Sequence, residues 1–139
     1  MKCFLPANWT TDATTNKQYI VGNTSTLNLT ESTKTCGHYN AILPEPQNEQ
    51  ENKFLGSLNA GVFQLGLTGK AILPSGSVWR WISNNDLVQR YFWAPGEPSE
   101  PPEACVVMVK RHNIDSWDDV KCRNRTVPIS LVCQKREGK

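Results

Sequence analysis

Five cysteines, at positions 3, 36, 105, 122 and 133, constrain this chain of 139 residues more than any other feature. None forms a CxxC pair, and only His38 and His112 could join them around a soft metal, so the spacing argues against a zinc site. Cysteines at this density point instead to an oxidising compartment, where covalent bridges supplement the modest core that a chain of this length can bury. Four Asn-x-Ser/Thr sequons, at Asn8, Asn23, Asn28 and Asn124, agree with a secreted, extracellular protein.

Bulk properties exclude several functions. A net charge of +2 is too weak for a nucleic-acid partner, and no basic run is interleaved with aromatics. No apolar stretch reaches the ~20 residues of a membrane span. No apolar signal region follows Met1-Lys2, so a mature or recombinant form is expected. No phosphate-binding glycine loop, internal repeat or linker composition is present, and the length suits one domain. That domain is expected over residues 17–135, with an N-terminal arm at 1–16 and a solvated tail at 136–139.

Periodicity predicts helices first and strands after. KQYIVGN alternates as an early strand around Tyr19 to Val21. Asn28 and Glu31 form a capping-box pattern that opens a helix through Cys36 towards Tyr39; engaged as a cap, Asn28 is a poor glycosylation acceptor. A second helix after Pro46 places Phe54, Leu55 and Leu58 on one face and is expected to stop at Gly61. Then come short apolar runs: VFQLGL, VWRWI, LVQRYFW, CVVMV and SLVC, with a tight turn expected at Asn84-Asn85-Asp86. This order defines an α+β fold with antiparallel sheets.

The chemistry gathers in two stretches. WAPGEPSEPPEAC, Trp93 to Cys105, sets Glu97, Ser99, Glu100 and Glu103 among prolines, which stiffen a loop by fixing φ. DSWDDVKC adds Asp118 and Asp119 just before Cys122. Glu97, Glu103, Asp118 and Asp119 in one small site would repel one another unless a cation joined them. Oxygen donors in this number select calcium. A glycosidase-like carboxylate pair is the weaker reading, because four acids crowded at one spot suit an ion better than an acid and a base facing across a cleft. No Ser-His-Asp or Cys-His arrangement is apparent, and an enzyme is not expected.

Cys36, Glu51-Asn52 on a helix, QLGL, WRW, the WxxGEP of Trp93 to Pro98, EAC at 103–105, WDD at 117–119, Cys122 and Cys133 occur in that order. The ordered set resembles the C-type lectin domain family, with mannose-binding proteins as a close pattern, and covers roughly Lys17 to Lys135. The resemblance implies disulfides Cys36–Cys133 and Cys105–Cys122. On the chain-entropy estimate these contribute roughly 4–5 and about 3 kcal/mol. It leaves Cys3 as either a tail thiol or an interchain bridge in a disulfide-linked homodimer. It further implies a calcium site of Glu97, Ser99, Glu103, Asp118 and Asp119, with Glu97–Pro98 in the cis form. Two vicinal sugar hydroxyls would complete the calcium shell while hydrogen-bonding Glu97, Ser99, Glu103 and Asp118. So shallow and wet a site implies monosaccharide affinity on the order of millimolar, raised by multivalency. The expected partner is a glycoconjugate on cells or microbes.

Two departures bear on specificity. The family's mannose-type triplet is EPN and its galactose-type QPD; here it is EPS. Where the family has WND this chain has WDD. Each family asparagine offers an oxygen to calcium and an NH₂ to sugar. Ser99 has one hydroxyl for both tasks, and ionised Asp118 only accepts. Residues 100–104 contain no aromatic platform of the galactose kind, although His112 could substitute. The order of preference is mannose- or fucose-like diols, then galactose. Acids of an additional calcium site are missing at Gly69, Leu73 and Ala104, so one calcium is expected. Gln64 stands where a tryptophan is usual, with Phe63 beside it to supply core volume. Trp79, Trp81, Trp93 and Trp117 are expected as core and loop anchors. A protein-binding or ice-binding domain of the same fold is the alternative reading.

Overall fold

The computed structural model describes residues 8–22, 28–72, 76–98, 103–122 and 128–136. Ten elements follow in chain order: β1 (Thr10–Thr11), β2 (Gln18–Val21), α1 (Leu29–Gly37), β3 (Ala41–Ile42), α2 (Glu49–Ser57), β4 (Phe63–Ile72), β5 (Gly76–Trp81), β6 (Glu103–Arg111), β7 (Ile114–Val120) and β8 (Val132–Lys135). The α+β expectation holds. All the strand pairs are antiparallel, in two sheets of order β1-β2-β8-β3 and β5-β4-β6-β7.

The helices begin where side chains satisfy the first amides. Asn28 accepts from Glu31 N–H at 2.9 Å, and Glu31 accepts from Asn28 N–H at 3.0 Å, closing the predicted capping box. Asn48 caps α2 through Glu51 N–H at 2.9 Å. That helix ends at Ser57, before the expected stop. Asn59 already adopts φ of 56°, so Gly61, at φ of 76°, only continues a turn begun earlier.

Period-two alternation builds the core. Phe63, Leu65 and Leu67 of β4, Trp79 and Trp81 of β5, Val106 and Met108 of β6 and Trp117 of β7 pack with Leu55 of α2, Tyr19 and Val132. Phe63 and Gln64 are both buried, so Phe63 supplies the expected volume. Gly69 is demanded by its neighbour: a Cβ there would stand 2.5 Å from the Trp79 ring. A second cluster of Ile20, Cys36, Ala41, Leu43, Leu131 and Cys133 takes Trp9 against it, and Lys135 Nζ lies 5.7 Å from the Trp9 ring centroid. The packing of Trp9 and the pairing of Thr10 with Tyr19 show that the first sheet already starts inside the stretch read as an arm.

Cys36 joins Cys133, and Cys105 joins Cys122, as the family resemblance implies. Cys3 lies outside the described residues, as do Asn23, Leu73, Ser99, Glu100, Asn124 and the tail from residue 137. Two strand expectations need correction. LVQRYFW forms no strand; its backbone meets the sheet at isolated bridges, Arg80 with Leu87 and Trp93 with Trp117. It starts against β5 and ends against β7, the two edges of that sheet, and is held by aromatic packing rather than by a ladder. WDD, which none of the expected runs includes, lies within β7, and Cys122 follows that strand's end.

Candidate functional site

The site is built outward from Trp117. Its indole N–H donates to Asn52 Oδ1 at 2.8 Å, and Asn52 Nδ2 donates to the Asp115 carbonyl at 3.2 Å, so α2 grips β7 at two points. The grip needs close approach, since a Cβ on Gly56 would fall 2.1 Å from the Asp115 carboxylate. From the other side Trp117 N–H donates to the Phe92 carbonyl at 2.7 Å, and Ala94 N–H donates to the Trp117 carbonyl at 2.9 Å. Residues 92–94 are thereby docked along β7. The Trp93 ring sits 4.9 Å from that of Trp79 and 5.7 Å from that of Trp117, as the loop anchor expected of it.

Beyond the docked segment the chain turns sharply. Gly96 takes φ of 86°, a region open to glycine at little cost, and Glu97 N–H donates back to the Ala94 carbonyl at 3.0 Å. The Glu97–Pro98 bond is cis. This turn delivers Glu97 to the two residues that follow Trp117. One carboxylate oxygen each from Glu97, Asp118 and Asp119 lies within 4.8 Å of the others, and all three residues are half-buried. Three of the five expected ligands therefore converge, from segments twenty residues apart in sequence.

Ser99 is outside the described residues. Glu103 opens β6, opposite Lys70 of β4 and two residues before the bridged Cys105. Asp118 and Asp119 face Val107 and Val106 across the β6–β7 ladder, which puts the start of β6 at the acidic end of that hairpin. His112 is not brought to the acids. It occupies the exposed turn at the opposite end, where His112 and Asn113 have φ of 54° and 64° and close a two-residue hairpin of the twist-matched type.

One site residue was not foreseen. Arg111, the last residue of β6, places a guanidinium nitrogen 2.9 Å from Asp118 Oδ2. Nothing in the sequence marks this contact, because the nearness of Arg111 to Asp118 depends on the register of β6 against β7.

The donor set fits calcium. It consists of carboxylate oxygens, with no histidine or thiolate among the three convergent residues, and hard oxygen ligands suit calcium rather than zinc. These residues could hold the ion and leave part of its oxygen shell to a ligand.

Two helices and two antiparallel sheets, tied by the two disulfides, carry this acidic cluster. The model of the lectin C-type domain matches residues 25–135, and the chain belongs to that family. It is 29% identical over 135 residues to human C-type lectin domain family 4 member A, covering 93% of this chain and 53% of that protein. It is 30% identical over 93 residues to a type-2 ice-structuring protein of Hemitripterus americanus, covering 67% and 52%. The chain thus spans about half the length of these curated relatives. Among solved structures, the C-type lectin domain of murine dendritic cell inhibitory receptor 2 in complex with N-glycan aligns with a TM-score of 0.75 at 24% identity, covering 95% of this chain and 98% of that one. A calcium-dependent type II antifreeze protein in its calcium-free form aligns with a TM-score of 0.72 at 20% identity, covering 94% and 99%.

Proposed function

We propose that this domain binds glycans through one calcium ion held by Glu97, Ser99, Glu103, Asp118 and Asp119. The observation that carries the reading is the convergence of Glu97, Asp118 and Asp119 within 4.8 Å, at the positions the family motif assigns to calcium. When bound, calcium supplies a Lewis-acidic centre whose remaining coordination suits two vicinal hydroxyls. The carboxylates hold that centre and accept hydrogen bonds from the same hydroxyls, contacts strengthened by their charge. Trp117 and the docked 92–94 segment keep the carboxylates in register, so little ordering is required when a ligand arrives. Mannose- and fucose-like diols rank ahead of galactose, because the segment after Pro98 offers no aromatic residue to stack on a sugar face. The disulfides suit an extracellular setting, and no helix among the described residues is long and apolar enough to cross a membrane.

A glycan array probed with calcium and again with chelator tests this reading. Calcium-dependent signals confined to glycans with accessible vicinal hydroxyls are expected; signals that persist in chelator would remove calcium from the mechanism. The resemblance to type-2 ice-structuring and antifreeze proteins favours a second reading, binding to ice. Thermal hysteresis together with a blank array would select it.

A further inference from the structure

Where the family pattern has an asparagine after the tryptophan of its WND motif, this chain has Asp118, an acceptor that cannot donate when ionised. An amide in that place would give an oxygen to the ion and an N–H to the sugar. The structure sets a guanidinium against the substituted side chain: an Arg111 terminal nitrogen stands 2.9 Å from Asp118 Oδ2. This contact is not a by-product of adjacency. Arg111 pairs across the ladder with Ile114, and Asp118 with Val107, so four rungs separate them. At about 3.3 Å per rung that is roughly 13 Å, which an arginine spans only when laid out along the strand. Val109 lies between them on the same face, as strand alternation requires.

The geometry leaves both groups partly unspent. Asp118 meets Arg111 through Oδ2, which leaves Oδ1 outside that ion pair. The guanidinium carries five N–H donors in a rigid plane, and the Arg111 side chain is 43% exposed. We propose that Arg111 and Asp118 act together as a surrogate for the absent amide, Asp118 ligating calcium and Arg111 donating a hydrogen bond to an oxygen of the bound sugar. The inference rests on the calcium-dependent sugar-binding reading and adds a specificity-determining residue to it. The ligand it favours presents an acceptor oxygen beside its vicinal diol, either a third hydroxyl or the ring oxygen. Arg111 also offsets the charge that Asp118 adds to the site.

These roles pull in opposite directions and can be separated. Calcium affinity is measured by titration calorimetry on the chain. Affinity for methyl α-mannoside, methyl α-fucoside and methyl α-galactoside is measured at saturating calcium. Arg111→Met keeps the apolar stem and removes the fork. It is expected to weaken the preferred sugar by about 10-fold or more, the loss of a charge-assisted hydrogen bond. Calcium should bind unchanged or a few-fold tighter, because a nearby positive charge is gone. Adding Asp118→Asn to Arg111→Met supplies an amide and should return sugar affinity to within about threefold of wild type. Arg111→Lys, which keeps the charge without the fork, should leave calcium affinity unchanged and still weaken the sugar; it serves also if the methionine variant folds poorly. Calcium and sugar affinities that fall together would reduce Arg111 to a prop for Asp118 and overturn the proposal, as would affinities that do not move. Wild-type protein that takes up no calcium would overturn the underlying reading with it.

Discussion

Carboxylates are held in two contrasting ways in this molecule. In the first turn of α2, Glu51 is buried with its Oε2 atom 2.9 Å from Lys17 Nζ and its Oε1 atom accepting from Gln47 N–H at 2.8 Å. The exposures of the two side chains, 16% for Lys17 and 6% for Glu51, keep this pair largely from solvent. In the loop region Glu97, Asp118 and Asp119 come from two separate segments, stay half-buried and aim an oxygen each at one small volume. The first arrangement closes a charge inside the fold; the second gathers charges where a ligand can reach them. Carboxylates therefore signal a site here by convergence and access rather than by their number.

Changes at the element shared by both regions should have the largest effect. Trp117→Ala removes a fully buried ring from the core and the anchor of the acidic residues after it. A loss of about 3–5 kcal/mol in denaturant unfolding is expected, with calcium uptake impaired as well. A loss near 1 kcal/mol would mean that the ring is not the hub described.

Glu51→Ala tests the closed charge alone. It removes the carboxylate facing Lys17 and the acceptor of Gln47 N–H and should cost about 2–3 kcal/mol, below the range for a fully buried pair because Lys17 keeps some exposure and also acts on Glu45. Calcium-dependent sugar retention should be unaffected. Loss of retention at unchanged stability would show that the closed charge also serves the open site.

Glu45 gives the smallest effect. Burial raises its carboxyl above the ordinary value of 4.5, against the opposing pull of hydrogen bonds from Ser83 and of Lys17 and Arg136. The folded state therefore binds this proton more tightly than the unfolded chain. Stability associated with it is fully present below pH 4.5 and is lost as pH rises through the folded value. Glu45→Gln removes that slope, so the variant should gain on wild type as pH rises from 4.5 towards neutrality. Thermal melts across that range decide it, and a variant that loses ground at neutral pH would reverse the sign.

Much of this was legible in the residues. The capping box at Asn28 and Glu31 and the helix over α2 follow from local rules, and the structure contains both. The strands were harder where pairing rather than pattern decides. LVQRYFW is rich in strand formers, yet no neighbouring strand takes it into a ladder and its aromatic rings do the anchoring. β7 was missed because DSWDD is poor in strand formers, and its place comes from β6 and Asn52. Within the site, Glu97, Asp118 and Asp119 were readable from motif order. Arg111 was not, since only the β6–β7 register brings it alongside Asp118. His112 reads as near WDD in sequence, but the hairpin carries it to the far end.

The most direct measurement is calcium titration by calorimetry on the purified chain, followed by methyl α-mannoside titration with and without the ion. Wild type should take up one calcium per chain and bind sugar only when calcium is present. Asp119→Ala should do neither, while its unfolding free energy in chelator stays within about 0.5 kcal/mol of wild type, as for other substitutions outside the core. Sugar binding that survives in chelator, or calcium uptake that Asp119→Ala leaves intact, would contradict a site centred on Glu97, Asp118 and Asp119.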